Sequence, residues 1–510
     1  MSMLLSEIIK YCAPLELINY KSERDDDIII KNMVNDTRRV GEESLFIAMH
    51  GNNFDSHKNL DKVVEAGASA LIIERKIDLS KIEVPVILVR SSYEATRALA
   101  APFYAFPSHG MNLLGITGTN GKTTTSYFAR SVLSQKYCDC GLIGTIKYII
   151  GSEEIDAPNT SPEPLFFQQK LRQMIDYGLK CAVMEVSSHA IKLGRIDNTE
   201  FDNLIFTNLS KEHTEFHPDM NDYFKTKASL FFKMLGPQAK NYKKAPKHAI
   251  INVDDSYGRL LASELKKNYG SGVFTYSMNA SAGADLYAEV IGIRMNGADF
   301  YLNYKNSRVP IELKLTGLFN VYNAMAAAAA GICSGLSLCE IKAGLEYLNC
   351  VPGRFELVEC PGLNTGFNVF VDFAHTPESF VNVIKLAREL NPARVITVFG
   401  CGGDRSREKR PLMGYNAVSA SDHTIITSDN PRNEDPMQII QDIIPGAQKA
   451  EKEFHVVCDR EEAIEKAIKM AAKGDVVLIL GKGHEKYQIV GNEKNYFDDC
   501  AIALKYLKEL

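Results

Sequence analysis

The chain has 510 residues, 45% of them hydrophobic and 24% charged, and a formal net charge of −5 at pH 7. A chain of this length is too long to fold around one ordinary hydrophobic core, so we expect two to four domains. The slightly acidic balance excludes a general attraction to nucleic acid or acidic membranes. Eleven cysteines without a Cys-x-x-Cys pair are typical of reduced thiols. Since no stretch is apolar over a bilayer's width, we predict a cytoplasmic enzyme without membrane insertion.

The first predicted domain, residues 1–105, is a small α/β unit. Short β-type runs alternate in it with helical segments such as 60–66. A Pro-Ser-His-Gly stretch at 107–110 then breaks the pattern, which indicates a boundary. The β-type runs cover residues 44–49, 70–74 and 84–89.

The second predicted domain, residues 106–350, alternates buried runs with helices, a pattern that favours a mostly parallel sheet with flanking helices. From 272 to 315, several β-type runs separated by Gly or Asn predict an appended antiparallel sheet. An alanine-rich helix is predicted over 321–331. The strands expected in the parallel sheet cover 113–117, 141–150, 181–186, 203–208 and 249–253.

The most specific motif is a glycine-rich loop between the strand at 113–117 and a helix predicted over 126–133. It reads Gly-Thr-Asn-Gly-Lys-Thr-Thr at 118–124, and Ile116 stands where the usual phosphate loop has glycine. Backbone N–H groups and the helix N-terminus make such a loop a cradle for phosphate. Lys122 would reach the terminal phosphates and Thr123 would ligate magnesium. The sequence therefore predicts a P-loop-type domain that binds a nucleoside triphosphate; a plain glycine turn before a core helix is the weaker alternative.

Three further side chains of this domain are candidates for the site. Glu185 ends an apolar run and is the candidate acidic partner of the metal, although such an acid is more often a simple strand end. His213 is open to two interpretations, a metal ligand or a solvated loop histidine. Lys227 lies at the edge of the apolar face of a helix, where its ordinary interpretation is a snorkelling lysine.

The third predicted domain, residues 351–510, is a second, Rossmann-like α/β domain in which each buried strand runs directly into a polar loop. Because ligands bind at the carboxyl ends of parallel strands, we expect these loops to form one binding surface. Arginines in or beside glycine- or proline-marked loops indicate an anionic second substrate; they are Arg195, Arg354, Arg405 and Arg432. The strands cover 369–373, 395–399, 423–427 and 476–480, and the loops cover 372–375, 400–405, 428–432 and 481–485.

Ten motifs, in order along nearly the whole chain, resemble those of the Mur ligase family, the ATP-dependent amide-bond-forming enzymes of peptidoglycan synthesis. The three-glycine phosphate loop is this family's form. The last three motifs together resemble the members that add the third residue of the stem peptide. The motifs are Gly-Thr-Asn-Gly-Lys-Thr-Thr, Glu-Val-Ser-Ser-His, Thr-Asn-Leu-Ser, Tyr-x-x-x-Lys, Gly-x-Phe-Asn-x-Tyr-Asn, Pro-Gly-Arg-Phe-Glu, Asp-x-Ala-His-Thr-Pro, Gly-Cys-Gly-Gly-Asp-Arg, Asp-Asn-Pro-Arg and Gly-Lys-Gly-His-Glu.

The resemblance implies ATP as co-substrate and two magnesium ions as cofactors. It implies that Lys227 carries a carbamate, whose negative charge lets that side chain approach the metals, and Tyr223 fixes the motif on Lys227 rather than on the neighbouring Lys225. The implied catalytic residues are Lys122, Glu185, His213 and Lys227, and the implied metal ligands are Thr123, Glu185, His213 and carbamylated Lys227. The implied ATP-binding residues are Gly118, Thr119, Asn120, Gly121, Lys122, Thr123, Thr124, Asn320, Asn323, Arg354 and Asp372.

Two further sets of binding residues follow from the resemblance. Arg432 is implied to select the amino acid, since arginine there accompanies meso-diaminopimelate, whose second carboxylate a buried arginine can pair. Glu485 would face an ammonium group. The implied UDP-substrate residues are Thr37, Arg38, the loop 50–57, Asn159, Thr160, Ser161, Ser187 and Arg195. The implied amino-acid residues are Arg405, Asp429, Asn430, Pro431, Arg432, Gly481 and Glu485.

The implied reaction is phosphorylation by ATP of the D-glutamyl γ-carboxylate of UDP-MurNAc-L-Ala-D-Glu, followed by attack of meso-diaminopimelate on the acyl phosphate. We expect a cytoplasmic monomer that acts on these small molecules and binds no nucleic acid. The alternatives are L-lysine as acceptor, a folylpolyglutamate synthetase relative, which the uridine-type N-terminal block disfavours, and a P-loop nucleotide switch or motor. Phe373, Ser406 and Lys211-Glu212 depart from the common family pattern without removing a proposed ligand.

Overall fold

The computed structural model describes residues 1–51, 54–211, 216–237, 239, 241–363 and 365–510. The chain divides into two units. The first consists of Met1–Ser277, Ser281–Asp285 and Ala326–Glu340, and the second of Met278–Ala280, Leu286–Met325 and Ile341–Leu510. The domain boundaries expected after residues 105 and 350 stay predictions. Across the part of the chain that the structure describes, no helix is long and apolar enough to cross a membrane.

The N-terminal part of the first unit is a mixed sheet between two layers of apolar side chains. Its elements are β1 (Met3–Leu4), α1 (Leu5–Cys12), β2 (Glu16–Ile18), α2 (Ser22–Asp25), β3 (Ile29–Ile30), β4 (Asn32–Val34), β5 (Ser44–Ile47), α3 (Leu60–Glu65), β6 (Ala68–Ile73), β7 (Val86–Leu88) and α4 (Ser92–Phe103). The strand order is β2-β7-β6-β5-β4, with only β2 antiparallel to its neighbour. Buried runs such as β5 form its centre because apolar side chains pack on both faces.

The rest of the first unit is built on a second, mostly parallel sheet. Its elements are β8 (Asn112–Thr117), α5 (Lys122–Tyr137), β9 (Gly141–Ile143), β10 (Lys147–Ile150), β11 (Glu153–Asp156), α6 (Pro164–Tyr177), β12 (Cys181–Glu185), α7 (Ser188–Lys192), β13 (Asn203–Phe206), α8 (Met220–Leu235), β14 (His248–Asn252), α9 (Ser256–Tyr269) and β15 (Val273–Ser277). Within this unit the described strands follow the order β11-β10-β9-β12-β8-β13-β14-β15. The phosphate loop thus follows β8, which lies between β12 and β13 and is parallel to both.

Three sequence expectations for this sheet are wrong in detail. Residues 141–150 are not one strand: β9 and β10 are antiparallel, because the chain turns at Thr145, whose N–H donates to the Glu185 side chain at 2.8 Å. Strand β15 pairs in parallel with β14, so the antiparallel part begins only after it. Helix α5 begins at Lys122 rather than 126, directly after Gly121, whose φ of 83° suits a residue without a Cβ.

The second unit contains the antiparallel strands and the C-terminal sheet. Its elements, of which α10 and α11 are divided between the two units, are β16 (Leu286–Arg294), β17 (Gly297–Tyr304), β18 (Ser307–Leu313), α10 (Leu318–Cys333), α11 (Leu338–Tyr347), β19 (Glu356–Leu357), β20 (Asn368–Asp372), α12 (Pro377–Glu389), β21 (Val395–Phe399), α13 (Lys409–Ala420), β22 (His423–Ile426), α14 (Pro436–Gln448), β23 (His455–Val456), α15 (Arg460–Met470), β24 (Val476–Leu480), β25 (Tyr487–Val490), β26 (Glu493–Tyr496) and α16 (Asp499–Leu507).

The C-terminal sheet has the order β19-β20-β24-β21-β22-β23 and is parallel from β20 to β23. Continuous apolar strands such as β21 and β24 are buried on both faces under two layers of helices. The register places the carboxyl ends of β20, β21 and β24 side by side, since Leu480 pairs with both Asp372 and Phe399. The predicted C-terminal α/β domain with polar strand-end loops is therefore confirmed as a fold.

Candidate active site

The phosphate loop is held open by the residues that follow β13. The N–H groups of Thr119 and Asn120 donate to the backbone and side-chain oxygens of Asn208, each at 2.9 Å. The hydroxyl of Thr207 donates to the Asn120 carbonyl at 2.7 Å. A Cβ on Gly118 would lie 1.9 Å from that hydroxyl oxygen, so this position requires glycine. The loop leads into the N-terminus of α5, where the positive end of the helix dipole favours an anion.

Two ammonium groups converge on one carbonyl of this loop. Lys122 Nζ donates to the carbonyls of Gly118 at 2.9 Å and Thr119 at 2.7 Å. Lys227 Nζ donates to the same Gly118 carbonyl at 3.0 Å and to the Thr117 hydroxyl at 3.3 Å. Lys227 is 1% exposed, so the snorkelling interpretation is wrong: α8 directs this side chain into the protein. The two lysine side chains thus meet beneath the phosphate loop, where Lys227 adds positive charge as a free amine and negative charge as a carbamate.

Glu185 is a fully buried carboxylate at the end of β12. Its Oε2 accepts hydrogen bonds from the hydroxyls of Thr123 at 2.9 Å and Thr145 at 3.0 Å, and its Oε1 accepts from the Thr145 N–H at 2.8 Å. Glu185 ends the strand, as the simpler interpretation has it, but as a buried and hydrogen-bonded carboxylate; its role as a metal ligand stays a prediction. The side chain joins the first turn of α5 to the turn between β9 and β10.

The oxygens of Thr123 and Glu185 fit a magnesium ion, which prefers hydroxyl, carboxylate, water and phosphate oxygens. Among the described residues, no group of three or more His, Cys, Asp and Glu side chains is placed to hold a metal. A magnesium ion here would therefore keep water or substrate oxygens in its shell. His213 lies outside the described residues. Lys227 as a free amine offers no oxygen, whereas its carbamate would.

Ser161, Ser187 and Arg195 are brought together beside Glu185. The Ser161 hydroxyl donates to the Glu185 backbone carbonyl at 2.9 Å and accepts from the Ser187 N–H at 3.1 Å. Arg195 donates to the Ser161 carbonyl at 3.0 Å, and its guanidinium pairs with Glu163 at 2.6 Å. A guanidinium and two hydroxyls at the carboxyl end of β12, beside the Glu185 backbone, form a polar lining suited to an anionic substrate.

The remaining residues expected at the UDP substrate are more dispersed. Thr160 lies beside the cluster, with its hydroxyl 3.1 Å from that of Thr145, and the Asn159 carbonyl accepts from the Tyr148 hydroxyl. Thr37 and Arg38 form a short turn after β4, where Arg38 is largely exposed and pairs with Asp36. In the loop 50–57, residues 52 and 53 lie outside the described part, and His57 is buried against Asp55 at 2.9 Å. Uridine binding by these residues stays a prediction.

The residues expected at the adenine and ribose lie in the second unit. The Asn320 side chain donates to the Thr316 carbonyl at 2.8 Å and accepts from Asn323 at 3.0 Å. Asp372 accepts from two backbone N–H groups at 2.7 Å each. Burial raises the pKa of Asp372, and the Arg354 guanidinium opposes that rise. A ribose hydroxyl that donates to Asp372 would compensate for this desolvation, which is consistent with the expected role.

Phe373, which departs from the common family pattern, has a structural partner. The Arg354 guanidinium lies 5.0 Å from the centre of its ring, and the ring of His484 lies 4.9 Å away. Burial and the positive charge of Arg354 lower the pKa of His484 to about 3, so this imidazole is neutral at pH 7. Phenylalanine gives the Arg354 guanidinium an aromatic face without a hydroxyl.

The amino-acid loops bring Asn430, Arg432 and Glu485 together. The Asn430 amide donates to Glu485 at 2.8 Å. Arg432 adopts a left-handed conformation with φ of 52°, and its guanidinium donates to the Gly403 carbonyl at 2.8 Å. Arg432 is half-buried, not buried as expected from the sequence, because its loop lies at the edge of the β25–β26 hairpin. Arg405 is exposed.

Asp429, Pro431 and Gly481 determine how closely these loops approach each other. A Cβ on Gly481 would lie 2.6 Å from the Asp429 carboxylate, and one on Gly403 would lie 1.8 Å from the Pro431 carbonyl. Gly481 has a φ of 116°, which also favours glycine. The loops after β21, β22 and β24 therefore form the common surface that their positions at the strand ends predict.

Sequence reasoning missed three side chains that support these sites. Thr145 has no sequence signal, because its role depends on Glu185, which is 40 residues away along the chain. Arg410 is 1% exposed in α13 and pairs with Glu434 at 2.7 Å and Asp442 at 2.8 Å. Lys482 lies in the Gly-Lys-Gly-His-Glu motif, which could have drawn attention to it. The resemblance gives this lysine no role, however.

Known proteins are similar to this chain in both units. The family descriptions "Mur ligase middle domain" and "Mur ligase, glutamate ligase domain" match residues 116–331 and 353–483. A UDP-N-acetylmuramoyl-L-alanyl-D-glutamate–2,6-diaminopimelate ligase of Alkaliphilus oremlandii is 41% identical over 483 residues, which is 95% of each chain. The protein of the same name from Clostridioides difficile is 40% identical over 508 residues, 100% of each.

A solved structure that carries the same protein name extends the likeness to the fold. It superimposes with a TM-score of 0.65 at 29% identity, and the match covers 100% of this chain and 99% of the other. The likeness therefore includes the N-terminal region, which neither family description matches.

Proposed function

The chain belongs to the Mur ligase family, and from this premise we propose that it is an ATP-dependent ligase of the MurE group. The proposed reaction joins an amino group of meso-diaminopimelate to the D-glutamyl γ-carboxylate of UDP-MurNAc-L-Ala-D-Glu. ADP and phosphate are the other products. Relatives named for diaminopimelate ligation, 41% identical over 95% of the chain, support this assignment. Since its substrates are cytoplasmic precursors of peptidoglycan, we propose a cytoplasmic enzyme that acts as a monomer.

The main support for this proposal comes from two charged side chains, Glu485 and Arg432, in the loops at the carboxyl ends of the strands of the C-terminal sheet. Glu485, oriented by the Asn430 amide at 2.8 Å, offers a carboxylate to an ammonium group. Arg432 offers a planar guanidinium to a carboxylate. An amino acid with a second carboxylate and a second ammonium, such as diaminopimelate, matches both groups. Lysine has no second carboxylate to offer the Arg432 guanidinium, which argues against lysine as acceptor.

The first step transfers the γ-phosphoryl group of ATP to the substrate carboxylate and forms an acyl phosphate. Lys122 and the N-terminus of α5 bind the phosphates, and their positive charge offsets the repulsion between two anions. Magnesium, held by Thr123, Glu185, His213 and the carbamate of Lys227, would neutralise charge on the transferring group. Fully hydrogen-bonded Glu185 keeps one orientation, which lowers the cost of reorganisation during the transfer.

The second step is attack of the diaminopimelate amine on the acyl phosphate. A C–N bond forms, the nitrogen loses a proton, and the tetrahedral intermediate expels inorganic phosphate. Arg195, which pairs with Glu163 at 2.6 Å, can exchange this partner for an anionic group of the UDP substrate. Ser161 and Ser187 add hydroxyl groups beside it.

Phosphate release with defined co-substrates tests the proposal. We expect release with ATP, magnesium and UDP-MurNAc-L-Ala-D-Glu only after meso-diaminopimelate is added, together with a new tripeptide product found by mass spectrometry. Equal or greater activity with L-lysine would leave the ligase reaction standing and overturn the amino-acid assignment. ATP hydrolysis that is indifferent to either amino acid would indicate a nucleotide switch instead.

A further inference from the structure

A fully buried ammonium group lies directly behind the amino-acid loops. Lys482 follows β24 and has 0% of its surface exposed. Its Nζ donates to the Asn430 side-chain oxygen at 3.3 Å and to the Tyr487 carbonyl, and it lies 3.5 Å from the Glu485 carboxylate. The three N–H groups of the ammonium thus have three oxygen partners, as a buried charge requires.

These contacts determine which way the Asn430 amide faces. Its side-chain oxygen accepts from Lys482 and, at 2.9 Å, from the Ile489 N–H. Its nitrogen donates to Glu485 at 2.8 Å. A flipped amide would direct its NH₂ group at two donors, Lys482 and the Ile489 N–H, and its oxygen at a carboxylate, so Lys482 and the backbone together oppose the flip.

We propose that Lys482 is a positioning residue for the acceptor amino acid: it orients the Asn430 amide and the Glu485 carboxylate so that Glu485 receives the substrate ammonium. This inference rests on the proposed function, because it assumes that Glu485 binds an ammonium of diaminopimelate. Lys482 itself touches no substrate in this role.

The charges around Lys482 fit such a role. Burial lowers the pKa of Lys482, and the carboxylates of Asp429, Glu485 and Asp499 oppose that shift. Without Lys482, the Glu485 carboxylate would lose its nearest cation and could turn toward solvent or toward the substrate in several orientations. Because the Asn430 amide and the Lys482 ammonium both contact Oε2 of Glu485, the second oxygen, Oε1, takes part in neither contact and can receive the substrate ammonium.

A second buried cation holds the backbone of the same loops. Arg460 forms an ion pair with Asp499 at 2.7 Å, and its guanidinium donates to the carbonyls of Ser428 at 3.2 Å and Leu480 at 3.0 Å. The two loops are therefore tied to α15 and α16 independently of Lys482. Loss of the Lys482 ammonium should change side-chain orientation in the pocket more than it changes the path of the backbone.

The test compares Lys482→Met and Lys482→Gln with a matched control, Lys486→Met. Methionine keeps the apolar stem and removes the charge, whereas glutamine removes the charge but keeps an NH₂ group that can donate. Lys486 lies in the same loop, 67% exposed, and pairs only peripherally with Asp498 at 3.4 Å. We expect KM for diaminopimelate to rise about tenfold or more in Lys482→Met, since a charged hydrogen bond is lost. KM for ATP and kcat should change less than about threefold, and Lys482→Gln should lie between Met and wild type.

Three results would overturn the inference. They are an equal rise in KM for every substrate, a fall in kcat alone, or a loss of activity that follows the melting temperature in both Lys482 variants. A crystal structure of Lys482→Met tests the positioning role without any measurement of turnover. If that variant does not fold, the structure of Lys482→Gln serves instead. We expect the Glu485 carboxylate to reorient, because it loses its contact with Lys482 while the Ile489 N–H still holds the Asn430 oxygen. An unchanged Glu485 carboxylate contradicts the inference. Wild-type enzyme without diaminopimelate-dependent phosphate release would instead refute the proposed function, while the crystal structure still decides the role of Lys482.

Discussion

The hydroxyl of Thr123 donates a 2.9 Å hydrogen bond to the carboxylate of Glu185. Thr123 lies in the first turn of α5 and Glu185 at the end of β12, so the bond joins the phosphate loop to the neighbouring strand. Thr145 adds two further hydrogen bonds to the same carboxylate. The fold therefore fixes the orientation of this acid through one residue of the phosphate-loop motif, Thr123, and one residue outside it, Thr145.

Replacing Glu185 by glutamine is expected to abolish most of the activity while leaving the fold largely intact. The amide loses the negative charge, and its NH₂ group must face a donor of Thr123 or Thr145. We predict a fall in phosphate release of about 100-fold or more and a loss of stability of about 1–3 kcal/mol from the unsatisfied donor. Steady-state kinetics and thermal unfolding check both values. Glu153→Gln, on the exposed strand β11, is the control; activity near wild type in Glu185→Gln would contradict the metal role.

The carbamate implied at Lys227 predicts a chemical signature. Protein prepared in ¹³C-bicarbonate should show a carbamate carbon resonance, and CO₂-depleted enzyme should lose activity that bicarbonate restores. The signal should be absent in Lys227→Met and present in Lys225→Met. Lys225 is the suitable control because it lies on the same helix with its side chain exposed, whereas Lys227 is 1% exposed. A Lys227→Met variant with unchanged kcat would contradict the proposal.

Arg432 predicts how selectivity responds to charge. In Arg432→Met, kcat/KM for diaminopimelate should fall about 10- to 100-fold. This is the loss expected when one hydrogen bond between charged groups is removed. Activity with L-lysine should stay unchanged or rise, since lysine has no second carboxylate to pair. Competition between the two amino acids in one assay directly measures the ratio of their kcat/KM values. Arg407→Met serves as control, because Arg407 is 60% exposed and pairs with Asp442 at 3.0 Å and with Glu434 at 3.8 Å, neither of which is a predicted amino-acid ligand. An equal loss with both amino acids would assign Arg432 a structural role.

Strand positions were predictable where an apolar run ends at a residue that also ends the strand, such as glycine. Residues 395–399 and 476–480 are buried strands that end at glycine, and both were placed correctly. Residues 141–150 were not, because an apolar run does not reveal where the chain reverses. That reversal depends on Thr145 and Glu185, whose contact is long-range in sequence.

The surroundings of side chains were not predictable where they depend on distant parts of the chain. The helical spacing around Lys227 placed it at the edge of an apolar face, and its burial depends on the Gly118 carbonyl, 109 residues away along the chain. Arg410 belongs to no motif, and its partner Glu434 lies 24 residues further on. Tertiary partners decide such positions, and a single sequence does not show which partners meet.

The pair of Arg410 and Glu434 makes the stability of the amino-acid loops depend on pH. The hydrogen bond from Arg410 holds the pKa of Glu434 at about 2, below its usual value of 4.5. Glu434 also accepts from the Asp404 N–H at 2.6 Å, so the ionised carboxylate connects α13 to the loop after β21. A carboxylate with a lowered pKa in the folded state stabilises the fold above its unfolded pKa. That contribution is lost as the pH falls toward 2.

Glu434→Gln is therefore expected to lower the melting temperature at neutral pH, and the difference from wild type should shrink as the pH falls from about 5 to about 3. Glutamine accepts a hydrogen bond but carries no charge, and Arg410 keeps its 2.8 Å contact with Asp442 in the variant. Thermal unfolding of both proteins over this range measures the difference. Glu389→Gln, on the exposed side of α12, should follow wild type at every pH. A difference that stays constant, or that widens on acidification, would show that the ionised state of Glu434 is not what stabilises these loops.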